Sequence, residues 1–208
     1  EPSIDYVVTK IPRFTFEKFP DASTELTTQM KSVGEAMAIG RTFKESLQKA
    51  VRSLEIGHAG FEPPFLPAGE EGEEVLWRSI DTPRPGRMWA LMEALRRGAS
   101  IEELHRRSAI DPWFLRNLRD LCEMEQHLSQ LAPEARAADL FSAKQAGFSD
   151  KRLADLWGVS EDDVRELRRT TGVAPVFKRV DTCAAEFEAH TPYLYSTYEQ
   201  ECESNPTK

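Results

Sequence analysis

The stretch DPWFLRNLRDLCEMEQHL, Asp111 to Leu128, reads as the longest helix of the chain and sets its fold class. Asp111 offers a carboxylate to the unpaired backbone N–H groups of a helix start. Pro112 follows at the first helical position, where its missing donor costs nothing. Phe114, Leu118, Leu121, Cys122 and Leu128 then fall along one apolar face, with charged residues between them. Such a face needs other helices to cover it.

The flanking sequence supplies them. Met88–Arg97 reads as a helix ended by Gly98, with Trp89, Met92 and Leu95 inward. Ser100 with Glu103 forms a capping box and opens a short helix. Pro133 starts another helix, which Gly147 ends, and Ser149 and Ser160 each cap one more. Val176–Val180 is extended, and Thr182–Phe187 and a stretch with Tyr193, Tyr195 and Tyr198 follow. No internal repeat or low-complexity segment is present.

Upstream the periodicity changes. Ile4, Tyr6 and Val8 alternate with Asp5, Val7 and Thr9, which predicts a strand. Pro12 is expected to break its pairing, leaving Phe14, Phe16 and Phe19 on an irregular extension. Val33–Gly40 reads as a second, buried strand. Thr42 with Glu45 forms a capping box for a helix that turns Leu47, Ala50, Val51 and Leu54 inward and stops at Gly57. Two or three strands and one helix cannot cover both faces of a sheet. Residues 1–57 are therefore expected to expose apolar surface unless the rest of the chain or a partner covers it. Residues 58–86, rich in Gly, Pro and Glu, read as a linker with a short helix around Glu73–Ser79.

Composition narrows the function classes. The 208 residues are 40% hydrophobic and 30% charged, as in a water-soluble globular protein. No apolar run nears the roughly 20 residues that span a bilayer, so no membrane partner is expected. The start, Glu1-Pro2-Ser3-Ile4-Asp5, lacks an initiator Met and the pattern of a signal peptide, which suggests a piece of something longer. Cys122, Cys183 and Cys202 are few and widely spaced, which predicts a reducing, cytoplasmic setting and no zinc site. Residues 1–57 hold 8 Lys/Arg and 8 Asp/Glu, so the whole net charge of −8 lies beyond residue 57. That acidic surface disfavours phosphate backbones and favours protein partners.

The sharpest local signal is a helix-turn-helix. Leu153, Ala154, Trp157, Gly158, Val159, Val164 and Leu167 occupy the spacings that motif needs. A nucleic-acid-binding module is the reading it offers, because the second helix of such motifs enters the major groove. That helix begins Glu161-Asp162-Asp163, and segment 149–169 holds 5 basic against 6 acidic residues, so packing within a bundle is favoured. Catalytic groups are scarce. His58, His105, His127 and His190 pair with no nucleophile elbow, and no Gly-rich phosphate loop appears. Trp89, Met92, Trp113, Phe114 and Trp157 read as core, with an oligomer interface as the alternative. No catalytic, cofactor-binding or metal-binding residue is assigned.

Two blocks carry a family resemblance. EPSIDYVVTKIPRF (Glu1–Phe14) with TTQMKSVGEAMAIGRT (Thr27–Thr42), and VFKRVDTCAAEF (Val176–Phe187) with YSTY (Tyr195–Tyr198), are similar to the middle of carbamoyl-phosphate synthase large chains. The likeness covers essentially the whole chain, with the middle looser than the ends. It implies that residues 1–57 close the carboxyphosphate-forming ATP-grasp domain. Residues 58–208 would be a helical oligomerisation and linker domain, giving a mainly α fold with a small α+β segment at the N-terminus. The implied parent is a ligase that makes carbamoyl phosphate from bicarbonate, ammonia and ATP for arginine and pyrimidine biosynthesis. It would use ATP with Mg2+ or Mn2+ and K+, take ammonia from a glutaminase small chain, and self-associate through the helical domain. The family's nucleotide and metal residues have no counterpart in this sequence, so the segment itself is expected to be inactive and to hold no cofactor. Met30 and Met37 read as plain packing residues, with a place near the family's internal carbamate passage as the alternative that the resemblance implies.

Overall fold

In this computed structural model, which describes residues 1–205, a small sheet leads into helices and a second small sheet follows. Strands β1 (Val7–Arg13) and β2 (Gly34–Gly40) pair antiparallel. The helices are α1 (Phe43–Ser53), α2 (Gly69–Asp81), α3 (Arg87–Arg96), α4 (Ile101–Ser108), α5 (Pro112–Ser129), α6 (Arg136–Gln145), α7 (Asp150–Trp157) and α8 (Glu161–Thr171). Strands β3 (Val176–Arg179) and β4 (Leu194–Thr197) pair antiparallel. The fold is mainly α with a small α+β part at the N-terminus, as the sequence predicts.

Helix α5 is the axis of the helical part, with α1, α3, α4, α6 and α7 against it. Its buried stripe is Leu115, Leu118, Leu121, Cys122, Glu125 and Leu128, at spacings of three and four. Phe114, expected on that stripe, is 44% exposed, and Leu115 takes its place. One residue along a helix is a rotation of about 100°, enough to carry the ring to the edge of the face. Helix α3 buries Trp89, Leu91, Met92 and Leu95, and α4 buries Ile101 and Leu104. From α7, Trp157 enters the core and its indole N–H donates to the Leu128 carbonyl at 2.9 Å, so no buried donor is orphaned there.

The helix starts follow the capping residues, with two differences. Thr42 accepts from the Glu45 N–H at 3.2 Å, but the Glu45 carboxylate accepts from the Arg41 N–H at 2.7 Å, one residue before a capping box would place it. Ser100 accepts from the Glu103 N–H at 3.1 Å, while the Glu103 carboxylate pairs forward with Arg106 and Arg107. The full reciprocal box forms at Ser160 and Asp163. Helix α1 ends at Ser53, and Glu55, not Gly57, is the first residue beyond it with positive φ.

Three further expectations change. Strand β1 begins at Val7, leaving Ile4 outside it, and runs through Pro12, which lies opposite Glu35. Both strands of a two-stranded sheet are edges, so a residue without an N–H is tolerated where that position faces outward. The sheet turns Thr9, Ile11, Ala36 and Ala38 onto α1 and leaves Val8 and Met37 exposed on its other face. Residues 58–86 are not a loose linker. Phe61 is 1% exposed against the Trp89 ring, with centroids 5.6 Å apart, and its carbonyl accepts from Arg96. The short helix expected around Glu73–Ser79 is the 13-residue α2, which buries Leu76 and Ile80 beside α3 and α4.

Gly147, expected to end a helix, also permits a close approach. It has φ +96°, and a Cβ there would lie 2.9 Å from the Glu45 Cα.

Phe61→Ala is expected to cost about 3–5 kcal/mol of stability, the range for deleting a buried aromatic side chain. Urea denaturation measures this, and a loss below about 1 kcal/mol would mean that residues 58–68 are loosely attached.

Candidate functional site

The helix-turn-helix predicted from Leu153 to Leu167 is present as α7, a left-handed Gly158 and α8. Its charges are arranged for packing. Arg165 bonds Glu161 and Asp162, each at 2.9 Å, and Arg169 bonds Glu166 at 2.6 Å. Arg168 grips Asp150 at 2.7 Å, Arg152 grips Glu125 at 2.8 Å, and Lys151 pairs with Asp155. All five cations of segment 149–169 thus face a carboxylate, and the first turn of α8 presents Glu161 and Asp162 to solvent. A polyanion would have to break these pairs before gaining contacts of its own.

Two buried charge clusters join the helices. Asp150 accepts from Lys144 at 2.8 Å and from both Nε and Nη2 of Arg168, drawing α6, α7 and α8 together. Burial alone would raise the Asp150 carboxyl, but its hydrogen bonds from Lys144 and Arg168 hold it below its ordinary value. Burial lowers the Lys144 ammonium against the pull of Asp150. Lys144 also donates to the Phe148 carbonyl at 2.7 Å and lies 5.3 Å from the centre of the Tyr198 ring. The second cluster is Glu125, which accepts from Arg96 of α3 at 2.9 Å and Arg152 of α7 at 2.8 Å.

A third polar group ties distant parts of the chain. The buried Glu45 carboxylate accepts from the Thr197 hydroxyl at 3.1 Å and pairs with Lys49 at 2.8 Å. Lys49 in turn donates to the carbonyls of Ile39 and Ser196. Strands β2 and β4 are thereby fastened to α1. The sequence marks Glu45 only as a capping residue, because its partner lies 152 positions away.

These carboxylates are saturated by cations and donors. That is the setting of structural charge, since catalysis needs a carboxylate free to exchange a proton. Three of the four histidines lie in partly solvated pairings, His58 with Glu62 at 2.9 Å, His105 with the Ile110 carbonyl at 2.8 Å and His127 with Asp139 at 3.1 Å, and His190 is exposed. Cys122 is buried and bonds the Met92 carbonyl at 3.5 Å, and burial pushes its thiol up to about 12. Among the described residues no group of three or more His, Cys, Asp or Glu could hold a metal ion. Among them, too, no helix is long and apolar enough to cross a membrane.

A cavity of about 320 Å³ lies between β1, α1 and the start of α3, lined by Ile11, Leu47, Leu54, Ile56, Met88 and Trp89 among others. Its wall also includes Arg13 and Arg87, which are engaged with the carbonyls of Leu54 and Ile80. Met30 and Met37 are 89% and 64% exposed, so neither packs in the core. Trp113 and Phe114, expected in the core, are half-exposed.

A family model for the carbamoyl-phosphate synthetase large chain, oligomerisation domain, matches residues 35–172. The carbamoyl phosphate synthase large chain of Myxococcus xanthus (strain DK1622) is 54% identical over 210 residues, covering 100% of this chain and 19% of the relative. That of Pseudomonas aeruginosa is 52% identical over 208 residues, with coverages of 100% and 19%. The chloroplastic, arginine-specific large chain of Arabidopsis thaliana is 52% identical over 207 residues, with coverages of 99% and 17%. The chain thus spans about a fifth of the length of the curated relatives it matches. Nothing in these likenesses supports the nucleic-acid-binding alternative.

Two outcomes are expected. A gel shift with duplex DNA at low salt should show no complex; a complex that weakens steeply with added salt would restore the nucleic-acid reading. Asp150 has a depressed carboxyl in the fold, so its stabilisation is present above about pH 4, the ordinary carboxylate range, and is lost as pH falls through the lower folded value. Asp150→Asn should lower the urea midpoint at pH 7 and flatten the decline below pH 4; parallel acid limbs for both proteins would contradict this.

Proposed function

The chain belongs to the carbamoyl-phosphate synthase large chain family, and we propose that it serves there as a scaffold joining two catalytic halves and making subunit contacts. The observation that carries this reading is the oligomerisation-domain match over residues 35–172. It coincides with most of a helical body whose buried charges are internally paired. Residues 1–57 would close the first ATP-grasp domain, and 58–208 would form the linking and oligomerisation domain.

The parent polypeptide, in this proposal, is a cytoplasmic ligase that forms carbamoyl phosphate for arginine and pyrimidine biosynthesis. Its substrates would be bicarbonate, ammonia and ATP. ATP with Mg2+ or Mn2+, and K+, would bind outside residues 1–208. A glutaminase small chain would supply the ammonia. Met37, exposed beside Val8 on the outer face of the first sheet, fits a position facing the missing part of that ATP-grasp domain. The chloroplastic relative suggests that the same scaffold also operates in plastids.

Sedimentation velocity across a concentration series should show mass increasing with concentration. A strictly monomeric result would leave the linking role alone. Bicarbonate-dependent ATP hydrolysis should be absent from the 208-residue chain, and turnover would overturn the scaffold reading.

A further inference from the structure

The cavity between β1, α1 and the start of α3 combines an apolar wall with two unmet polar demands. Its volume of about 320 Å³ falls at the lower end of the range for small-molecule sites, about 300–1,000 Å³. Ile11, Leu47, Leu54 and Trp89, all buried, form much of the wall. Leu26 reaches it from the loop between β1 and β2, which is held in place where the Leu26 N–H donates to the Pro83 carbonyl at 2.8 Å.

The first unmet demand is for an acceptor. Trp89 is 6% exposed, and its indole N–H has no hydrogen-bond partner among the described residues. The rings of His58 and Phe61 pack against the indole, with centroids 4.8 and 5.6 Å away, and fix its position. Trp77 and Trp157 both satisfy the same group, on the Glu73 carboxylate and the Leu128 carbonyl. A buried donor without an acceptor is destabilising, and a bound molecule that accepts from it removes the penalty.

The second demand is for negative charge. Lys10, Arg13, Arg84 and Arg87 border the cavity and no Asp or Glu does, in a chain whose net charge is −8. Lys10 pairs with Glu35 at 2.7 Å. Arg13 donates to the Leu54 carbonyl, and Arg87 to those of Ile80 and Ser108, which are neutral acceptors and leave both charges uncompensated. Arg84 is exposed, and its side chain has no ion-pair partner among the described residues. Burial lowers the Arg87 guanidinium from its ordinary value, and Asp81 offsets only part of this.

We propose that this cavity binds a small apolar carboxylate, whose hydrocarbon body lies against Ile11, Leu47, Leu54 and Met88 and whose head supplies both the acceptor for Trp89 and the counter-charge for the arginines. A neutral apolar molecule leaves the arginines uncompensated, and an inorganic anion leaves the wall unfilled. The bound carboxylate touches β1, α1 and α3 together, so it ties the first sheet to the helical body.

The test uses the full-length large chain, with octanoate as the probe and isothermal titration calorimetry as the readout. Octanoate should bind saturably, and 1-octanol, the same body with a neutral head, should bind more weakly. Arg84→Gln changes an exposed side chain and keeps the fold. It should weaken octanoate about fivefold, the upper end for an exposed ion pair, and leave octanol unchanged. Trp89→Phe keeps a ring in the wall and removes the donor. It should weaken both probes about fivefold, the size of one hydrogen bond. Failure of octanoate to bind would mean that another part of the polypeptide fills the cavity, and would overturn the proposal. Octanoate binding that neither substitution changes would place the site elsewhere and overturn it equally. Equal affinity for octanol and octanoate would rule out the carboxylate and count against it too.

Discussion

Helix α5 carries a carboxylate in the middle of its buried stripe, and the helical body is arranged around that fact. Glu125 cannot be left unpaired at this depth, because an uncompensated buried charge costs several kcal/mol. Arg96 from α3 and Arg152 from α7 approach it from two sides, each within 2.9 Å. The pairing fixes which faces of α3 and α7 meet α5, and the leucines between them then pack in one register. Asp150 repeats the logic one layer away, drawing α6, α7 and α8 together through Lys144 and Arg168. Apolar burial supplies the driving force, and these paired charges select the arrangement.

Much of the fold was legible because helix starts are written locally. Thr42, Ser100, Asp111, Ser149 and Ser160 each cap the helix that the sequence predicts from them. The misses have non-local causes. Phe114 and Leu115 are both apolar, and the neighbours of α5, not its own sequence, decide which one turns inward. Proline density between 61 and 67 correctly excludes helix there but does not show that Phe61 is an anchor on Trp89. The contacts of Glu45 with Thr197 and of Arg41 with Asp5 and Tyr195 join residues far apart in sequence, and no periodicity announces them.

The helix-turn-helix illustrates how little a local motif says about use. Its geometry is the one that DNA-binding proteins employ, down to the left-handed glycine between the helices. What differs is the surface. Each of its arginines is claimed by a carboxylate within the same body, and the second helix opens with acids. Fold and function separate here at the level of single ion pairs.

The clasp of Glu45, Lys49 and Thr197 closes the chain into a bracket. A pull applied between the segment at Asp5 and the strand that ends at Thr197 is borne first by the clasp and by Arg41. The helices beyond it hang outside the line of force. A load along that line is carried by a short, stiff polar junction and leaves the helical bundle unstrained.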